Sequence, residues 1–300
     1  MKVVIAGGTG FLGRPLAESL VADGHDVVVL TRGDGGRMSK AVRWTPNGDS
    51  GPWASTIDGA DAVVNLAGES IAAKRWTKAH KRNVLDSRVQ ATRSLASAIR
   101  AVANPPPVFV SGSAVGYYGP LGDDIVTEDA PPGSDFLARV CVMWEEEARR
   151  AATHTRVTCI RTGLVLAKDG GALPPMLPPF RFGAGGPVGS GRQYWPWIHR
   201  QDWVDLVRWA IRTADSGAAI NATAPNPVTN AEFARALGRA MHRPAFLPAP
   251  AFALRLLLGE MADALVLSGQ RAVPKRAERG GFTFTYRTVD AALHAIFGQA

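Results

Sequence analysis

Apolar residues arrive along this chain in short continuous runs separated by amphipathic stretches. Lys2-Val-Val-Ile-Ala6, Asp26-Val-Val-Val-Leu-Thr31, Asp61-Ala-Val-Val-Asn-Leu-Ala67, Val108-Phe-Val110 and Arg156-Val-Thr-Cys-Ile-Arg161 are short and rich in β-branched residues. Such runs predict strands buried on both faces. Between them the spacing turns helical. Leu12, Leu16 and Leu20 recur every fourth residue behind the first run, and Val84, Val89, Leu95 and Ile99 punctuate the charged stretch 76–100, which Asn104-Pro-Pro-Pro107 ends. Residues 136–152 read as a further helix. This alternation predicts an α/β protein built on a Rossmann-type doubly wound parallel sheet. Ligands in such sheets bind at the carboxyl ends of the strands, which here gather residues 7–13, 32, 66–68, 111–113 and 161–163 around one crevice.

The rhythm changes in the second half. Residues 167–191 are rich in Gly and Pro, including Leu173-Pro-Pro-Met-Leu-Pro-Pro179, and read as a long functional loop without extended regular elements. Its flanks carry Arg181, Arg192, Gln193, Trp195, Trp197 and His199. Guanidiniums and aromatics on such turns suit an anionic or ring-bearing small-molecule substrate. Trp197-Ile-His199 reads as a strand, with Asp202 capping a helix over 203–213. His199 is weighed both as an acid/base near neutrality and as a structural strand residue. Thr229-Asn-Ala-Glu232 has the spacing of a capping box. Residues 251–267 read as one apolar helical region for the core or a dimer partner. Phe282-Thr-Phe-Thr-Tyr286 reads as a strand, followed by a helix. The expected division is a nucleotide-binding domain over 1–165, with 199–225 contributing, and a smaller C-terminal α/β substrate domain from 166–198 and 226–300.

Composition narrows the classes. Hydrophobic residues make up 46% and charged residues 20% of the 300, which excludes a disordered chain. No stretch approaches the ~18 apolar residues of a membrane span, and the longest candidate is interrupted by Arg255. Cys141 and Cys159 cannot build a disulfide framework. The net charge of +8 is spread out, and its densest cluster, Lys74, Arg75, Lys78, Lys81 and Arg82, carries no nucleic-acid-binding pattern. The chain enters its first strand directly after Met1, so no leader is expected. The expectation is a cytoplasmic monomer or homodimer with no nucleic-acid or membrane partner and no metal cluster.

The strongest chemical signal is Gly7-Gly8-Thr9-Gly10-Phe11-Leu12-Gly13, placed between the first strand and the first helix. Gly7 permits the turn, Gly10 lets a diphosphate approach the main chain, and Gly13 lets helix and strand pack closely. The helix N-terminus then offers N–H groups and a positive dipole end, so Thr9, Phe11 and Leu12 join the glycines as cofactor-binding candidates. At the end of the second strand stands Arg32, with Arg37 following, where sites preferring the unphosphorylated dinucleotide often place a carboxylate. A guanidinium there binds a 2′-phosphate, so NADP(H) is expected over NAD(H). Leu66, Ala67, Gly68 and Ser111, at the ends of the next strands, complete the cofactor candidates.

Together with Asn65-Leu-Ala-Gly68, Ser113-Ala-Val-Gly-Tyr-Tyr-Gly119 and Trp197-Ile-His-Arg-Gln-Asp202, the glycine motif resembles the extended short-chain dehydrogenase/reductases of nucleotide-sugar epimerase type. More closely, the whole chain resembles the atypical epimerase family protein branch, with its own C-terminal segment. Trp144-Glu145, Phe180-Arg-Phe-Gly-Ala-Gly-Gly186 and Gly191-Arg-Gln193 fit that branch. The resemblance implies a hydride exchange between nicotinamide and a carbinol carbon. It implies a Ser that holds the substrate oxygen, matched by Ser113, and a Tyr acidified by a Lys along the next helix. The Tyr and Lys positions are occupied by Leu137 and Cys141, and the Asn of the family's proton relay by Arg88. Leu cannot donate a proton and a neutral thiol cannot acidify a neighbour. Tyr117 and Tyr118 are then candidate phenols, Cys141 a candidate thiol beside the nicotinamide, and Arg88 a candidate for its ribose or phosphate. The expected function is that of an NADP(H)-binding oxidoreductase or epimerase-like enzyme. The rival is a non-catalytic NADP-binding redox-sensing or regulatory protein.

Overall fold

The computed structural model describes residues 1–33, 40–213 and 218–298. Strands β1 (Lys2–Ala6), β2 (Asp26–Thr31), β3 (Ala41–Arg43), β4 (Ala62–Asn65) and β5 (Val108–Ala114) belong to the N-terminal half. Then come β6 (Ile125–Val126), β7 (Arg156–Thr162), β8 (Leu164–Ala167), β9 (Gly170–Gly171), β10 (Tyr194–Trp195), β11 (Trp197–His199), β12 (Ala219–Ala222), β13 (Val228–Thr229) and β14 (Arg271–Ala272). The α-helices are α1 (Gly13–Ala22), α2 (Lys78–Ala101), α3 (Phe136–Arg149), α4 (Leu173–Arg181), α5 (Arg200–Arg212), α6 (Asn230–Met241), α7 (Ala251–Leu258), α8 (Lys275–Arg279) and α9 (Val289–Phe297).

The seven-stranded sheet has the order β12-β7-β5-β4-β1-β2-β3. Every pairing in it is parallel. The order reverses between β1 and β4, so the carboxyl ends of these two strands open the crevice expected of a doubly wound sheet. One face is covered by α1 and α5, through Leu16, Leu20, Trp203 and Val207. The other is covered by α2 and α3, through Leu95, Ile99 and Ala148. A third apolar cluster lies beyond the sheet, where α4, α6 and α9 pack Leu173, Phe233, Leu237 and Leu293 around Trp197.

Local chemistry sets the helix ends. Thr77 caps α2 by accepting from His80 N–H, and Asp135 caps α3 by accepting from Ala138 N–H. Thr229 and Glu232 form the expected capping box of α6. Several expectations are corrected. Residues 173–181 form a helix in spite of four prolines: Pro174 and Pro175 lie in its first turn, where the N–H that proline lacks would have no intrahelical acceptor. The apolar stretch 251–267 is not one helix; α7 ends at Gly259, which adopts φ +62°. Residues 282–286 pair with no strand among the described residues. The N–H groups of Thr285 and Tyr286 instead donate to the two carboxylate oxygens of buried Asp202, each at 2.9 Å. Asp202 is therefore not a cap. The cap of α5 is His199, whose Nδ1 accepts from Gln201 N–H at 3.1 Å.

That bond requires a neutral imidazole. Burial, helped by Arg200, depresses His199 from 6.5 to about 4. A histidine whose folded-state value lies below its unfolded one contributes stability at neutral pH, lost as the pH falls through 6.5 toward about 4. Asn at this position would keep a capping acceptor without a titrating group. His199→Asn is therefore expected to flatten the fall in stability between neutral pH and the acid range, measured by urea unfolding at a series of pH values. An unchanged pH profile would contradict this role.

Candidate functional site

The site begins at the turn after β1. Gly7 has φ +80°, and a Cβ there would stand 2.7 Å from the carbonyl carbon and oxygen of Leu66. A Cβ on Gly13 would stand 2.1 Å from the Gly7 oxygen. That oxygen accepts from Gly10 N–H at 3.0 Å, and Gly10 O from Arg14 N–H at 3.0 Å. Thr9 and Gly10 are exposed. Helix α1 starts from Leu12 without a side-chain cap and has no acid in its first turn. Among the described residues, nothing accepts from the N–H groups of Phe11, Leu12 or Gly13. An open helix N-terminus of this kind is built for an anion.

Phe11 closes one side of the cradle, its ring lying where any Cβ on Gly170 or Gly171 would have to go. The Arg200 guanidinium lies 5.5 Å from the centre of that ring and pairs with Asp169 at 2.5 Å. On the other side, Arg32 is exposed and forms no ion pair among the described residues. Arg37 lies outside the described residues. Leu66 and Ala67 are half-buried and Gly68 is exposed, with Ala67 N–H donating to Asn65 Oδ1 at 3.1 Å. A Cβ on Gly68 would meet Arg88 at 3.2 Å, so the guanidinium folds against this turn. Arg88 donates from Nη1 to the carbonyls of Glu69 and Val84, both at 3.0 Å, and lies 5.2 Å from the Trp144 ring centre. Burial holds its pKa below the ordinary arginine value.

Deeper in the crevice the structure assembles a network that the sequence reading did not contain. Glu145 is fully buried on α3. Its Oε1 accepts from Ser113 Oγ at 2.7 Å and from Arg161 Nε at 2.8 Å. Its Oε2 accepts from Arg161 Nη2 at 3.0 Å and Arg149 Nη2 at 2.6 Å. Burial by itself would depress Arg161, but the Glu145 contacts outweigh it and hold the guanidinium above its ordinary value. Arg161 Nη1 donates to Tyr118 Oη at 3.0 Å, and Tyr118 donates to Asn221 Oδ1 at 2.7 Å. The chain continues to the C-terminal segment, because Asn221 Nδ2 donates to Val273 O at 3.0 Å. Buried Glu128 accepts from the N–H of Asn221 at 3.1 Å and of Arg276 at 3.3 Å, and burial raises its pKa.

These contacts sort the catalytic candidates. The Ser113 hydroxyl proton is committed to Glu145, and the buried Ser113 side chain also meets the Cys141 thiol. Burial pushes Tyr118 up to about 12, and its hydroxyl already has a donor and an acceptor. Burial, aided by Glu145, likewise pushes the Cys141 thiol up to about 12. Leu137 packs 3.4 Å from where a Gly116 Cβ would stand. Tyr117 is different: it is half-buried, and its hydroxyl has no hydrogen-bond partner among the described residues. The Arg161 guanidinium lies 3.5 Å from its ring centre. Ser111 is fully buried and donates to Gly112 O at 3.2 Å.

The substrate candidates from the second half do not converge. Trp195 and Trp197 are buried in the third cluster, their indole N–H groups donating to Val266 O and Asn226 O. His199 caps α5, with its ring 4.0 Å from that of Tyr286. Arg181 and Arg192 are exposed. Among the described residues no group of His, Cys, Asp and Glu could hold a metal ion.

Comparison with known proteins agrees with this geometry. Residues 3–223 match the family described as "NAD dependent epimerase/dehydratase family", and residues 249–296 match a "Domain of unknown function (DUF1731)". The chain is 43% identical over 306 residues to "Epimerase family protein SDR39U1 homolog, chloroplastic" of Arabidopsis thaliana, covering 99% of this chain and 86% of that one. It is 39% identical to "Epimerase family protein SDR39U1" of Bos taurus, with 99% of each chain covered. The crystal structure of the human epimerase family protein SDR39U1 (isoform 2) with NADPH superposes with a TM-score of 0.92 at 36% identity, each chain fully covered.

The Glu145 network generates a stability test. Removing one partner of a buried ion pair leaves the other charge uncompensated, at a cost of about 3–5 kcal/mol. Glu145→Gln is expected to lose stability on that scale in urea unfolding, whereas Arg93→Ala, at a pair whose arginine is half exposed, should lose under about 1 kcal/mol. Equal small losses would contradict the assignment.

Proposed function

Because the chain belongs to the NAD dependent epimerase/dehydratase family, we propose that it is an NADP(H)-binding oxidoreductase acting on a small carbonyl or hydroxyl compound. The observation that carries the proposal is the open cradle at α1, where the N–H groups of Phe11, Leu12 and Gly13 have no acceptor among the described residues and the first turn has no acid. The residues present fit a dinucleotide: the N–H groups and helix dipole suit its diphosphate, and unpaired Arg32 suits a 2′-phosphate. The human relative's structure with NADPH supports the same choice. Arg88, against the Gly68 turn, is assigned to the ribose side.

Bound there, such a cofactor supplies or takes up hydride. The chain's own residues hold the substrate and handle the proton. Ser113, its hydrogen fixed on Glu145, accepts a hydrogen bond from a substrate hydroxyl. Tyr117 is assigned as the group that gives a proton to a carbonyl oxygen, since Tyr118 and Cys141 are both held neutral near 12 and His199 is a cap. The substrate side is assigned to the smaller unit formed by residues 166–198 and 226–300. A second reading, a non-catalytic NADP-binding protein, is favoured by Leu137 and Cys141 at the positions of the family's Tyr and Lys.

One experiment separates the two readings: loss of NADPH absorbance with the full chain and a panel of sugars, ketones and quinones. Turnover that falls about a hundredfold or more in Tyr117→Phe, with NADPH affinity unchanged, is the expected result. In the same assay Arg32→Asp should weaken NADPH by about tenfold to a hundredfold and leave NADH unharmed. No turnover with tight NADPH binding would leave the binding-protein reading. No binding of either cofactor would overturn both.

A further inference from the structure

Helix α7 is held to the chain on one side only, by the Arg255–Asp263 ion pair and by Arg75, which donates to Leu256 O at 3.3 Å. It is eight residues long, none of them is buried, and Pro250 gives it no side-chain cap. Isolated helices shorter than about 12–15 residues are marginal in water. Yet α7 is strongly apolar, and Phe252, Leu256 and Leu257 are 74%, 79% and 69% exposed. Phe252 and Leu256 stand four apart, on one face. The patch extends into the preceding segment. Phe246 is 71% exposed, and the strip that follows it is bonded to the loop after α4, with Leu247 N–H donating to Gly185 O and Ala249 N–H to Pro187 O. That loop opens with Phe182, which is 87% exposed.

Cations surround this apolar stretch. An open cavity of about 600 Å³ next to Phe246 is lined by Arg235, Arg239, His242 and Arg243. The acids nearby are already used: Asp290 pairs with Arg239, Asp263 with Arg255, and Glu260 with Lys81, while Glu232 closes the capping box of α6 and interacts with Arg235. Arg181 and Arg243 form no ion pair among the described residues.

Charge therefore selects the occupant. In a two-fold dimer the same patch meets itself, which would gather Arg181 and Arg243 of both copies into one interface whose acids are already engaged. An anionic bilayer offers the opposite sign and an apolar interior together. We propose that this face docks the protein on anionic phospholipid membrane, with α7 lying in the interface, its Phe and Leu side chains among the acyl chains and the arginine cavity on headgroup phosphates. No described helix is long and apolar enough to cross a membrane, so the contact is peripheral.

Co-sedimentation of the full chain with vesicles tests this. It is expected to bind vesicles containing about a third phosphatidylglycerol and not pure phosphatidylcholine. Binding should weaken as salt rises from about 0.1 M to about 1 M, where the Debye length shrinks from about 10 Å to about 3 Å. The double variant Phe252→Ser/Leu256→Ser and, separately, Arg243→Glu should each bind about tenfold or more weakly, with unchanged thermal unfolding. Sedimentation indifferent to lipid charge, no sedimentation, or variants that bind like the wild type would overturn the proposal. So would a dimer, seen by light scattering, that the double variant dissociates, since a second copy would then be the occupant.

Discussion

The carbonyl oxygen of Gly7 is the point about which the site is built. It accepts Gly10 N–H, and it lies where a side chain at Gly13 would begin, 2.1 Å from the ideal Cβ position. Gly7 itself is pressed against the main chain of Leu66, so the turn after β1, the end of β4 and the start of α1 form one tightly packed unit. The contact fixes the direction of α1, and Leu12 leaves its first N–H groups without a side-chain cap. Parallel pairing of β1 with β2 and β4 then brings Arg32 and the 66–68 turn to the two sides of the same opening. A protein that needed only a stable turn would gain from an Asp or Ser cap at this helix; the missing cap is the sign of a ligand-binding role.

The second organising feature is a buried charge pair beside Cys141 and Ser113. Taking Glu145 and Arg161 out of water is costly, and such a pair survives only when its remaining donors and acceptors are satisfied. Here they are, through Ser113, Arg149, Tyr118 and the Glu128 carbonyl. The consequence is chemical as well as structural. The hydroxyls of Ser113 and Tyr118 are both engaged, and Tyr117 is the neighbouring phenol whose hydroxyl has no partner among the described residues. Asn221, Val273 and Arg276 extend the network into the segment that packs beside β6, so the geometry of the crevice depends on the C-terminal residues.

Much of this was legible in the residues. The short β-branched runs and the glycine spacing specify strands, the first turn and its cradle, because burial on both faces and close main-chain approach leave strong local signatures. The capping box at Thr229 was legible for the same reason. The misreadings share a cause. The alternation of Phe282, Thr283 and Phe284 resembles a strand, but a strand needs a partner, and the carboxylate of Asp202 takes the N–H groups instead. Asp202 looked like a cap because its type suits one, while His199, three residues earlier, holds the position that matters. Trp195 and Trp197 looked like substrate contacts on a glycine-rich loop, yet a helix formed across the prolines encloses them. The Glu145–Arg161 pair joins residues 16 apart in sequence, and Trp144-Glu145 and the guanidinium that closes the fifth strand run, although visible separately, carry no sign that they meet.

Main-chain N–H groups at the start of α1 form the anion site, and amide resonances report on them directly. With the isotopically labelled full chain, titration of NADPH should shift the amide signals of Phe11, Leu12 and Gly13 and slow their exchange with solvent. If NADPH binds while those three amides keep their positions and exchange rates, the cradle is not where the diphosphate sits and the central claim is wrong.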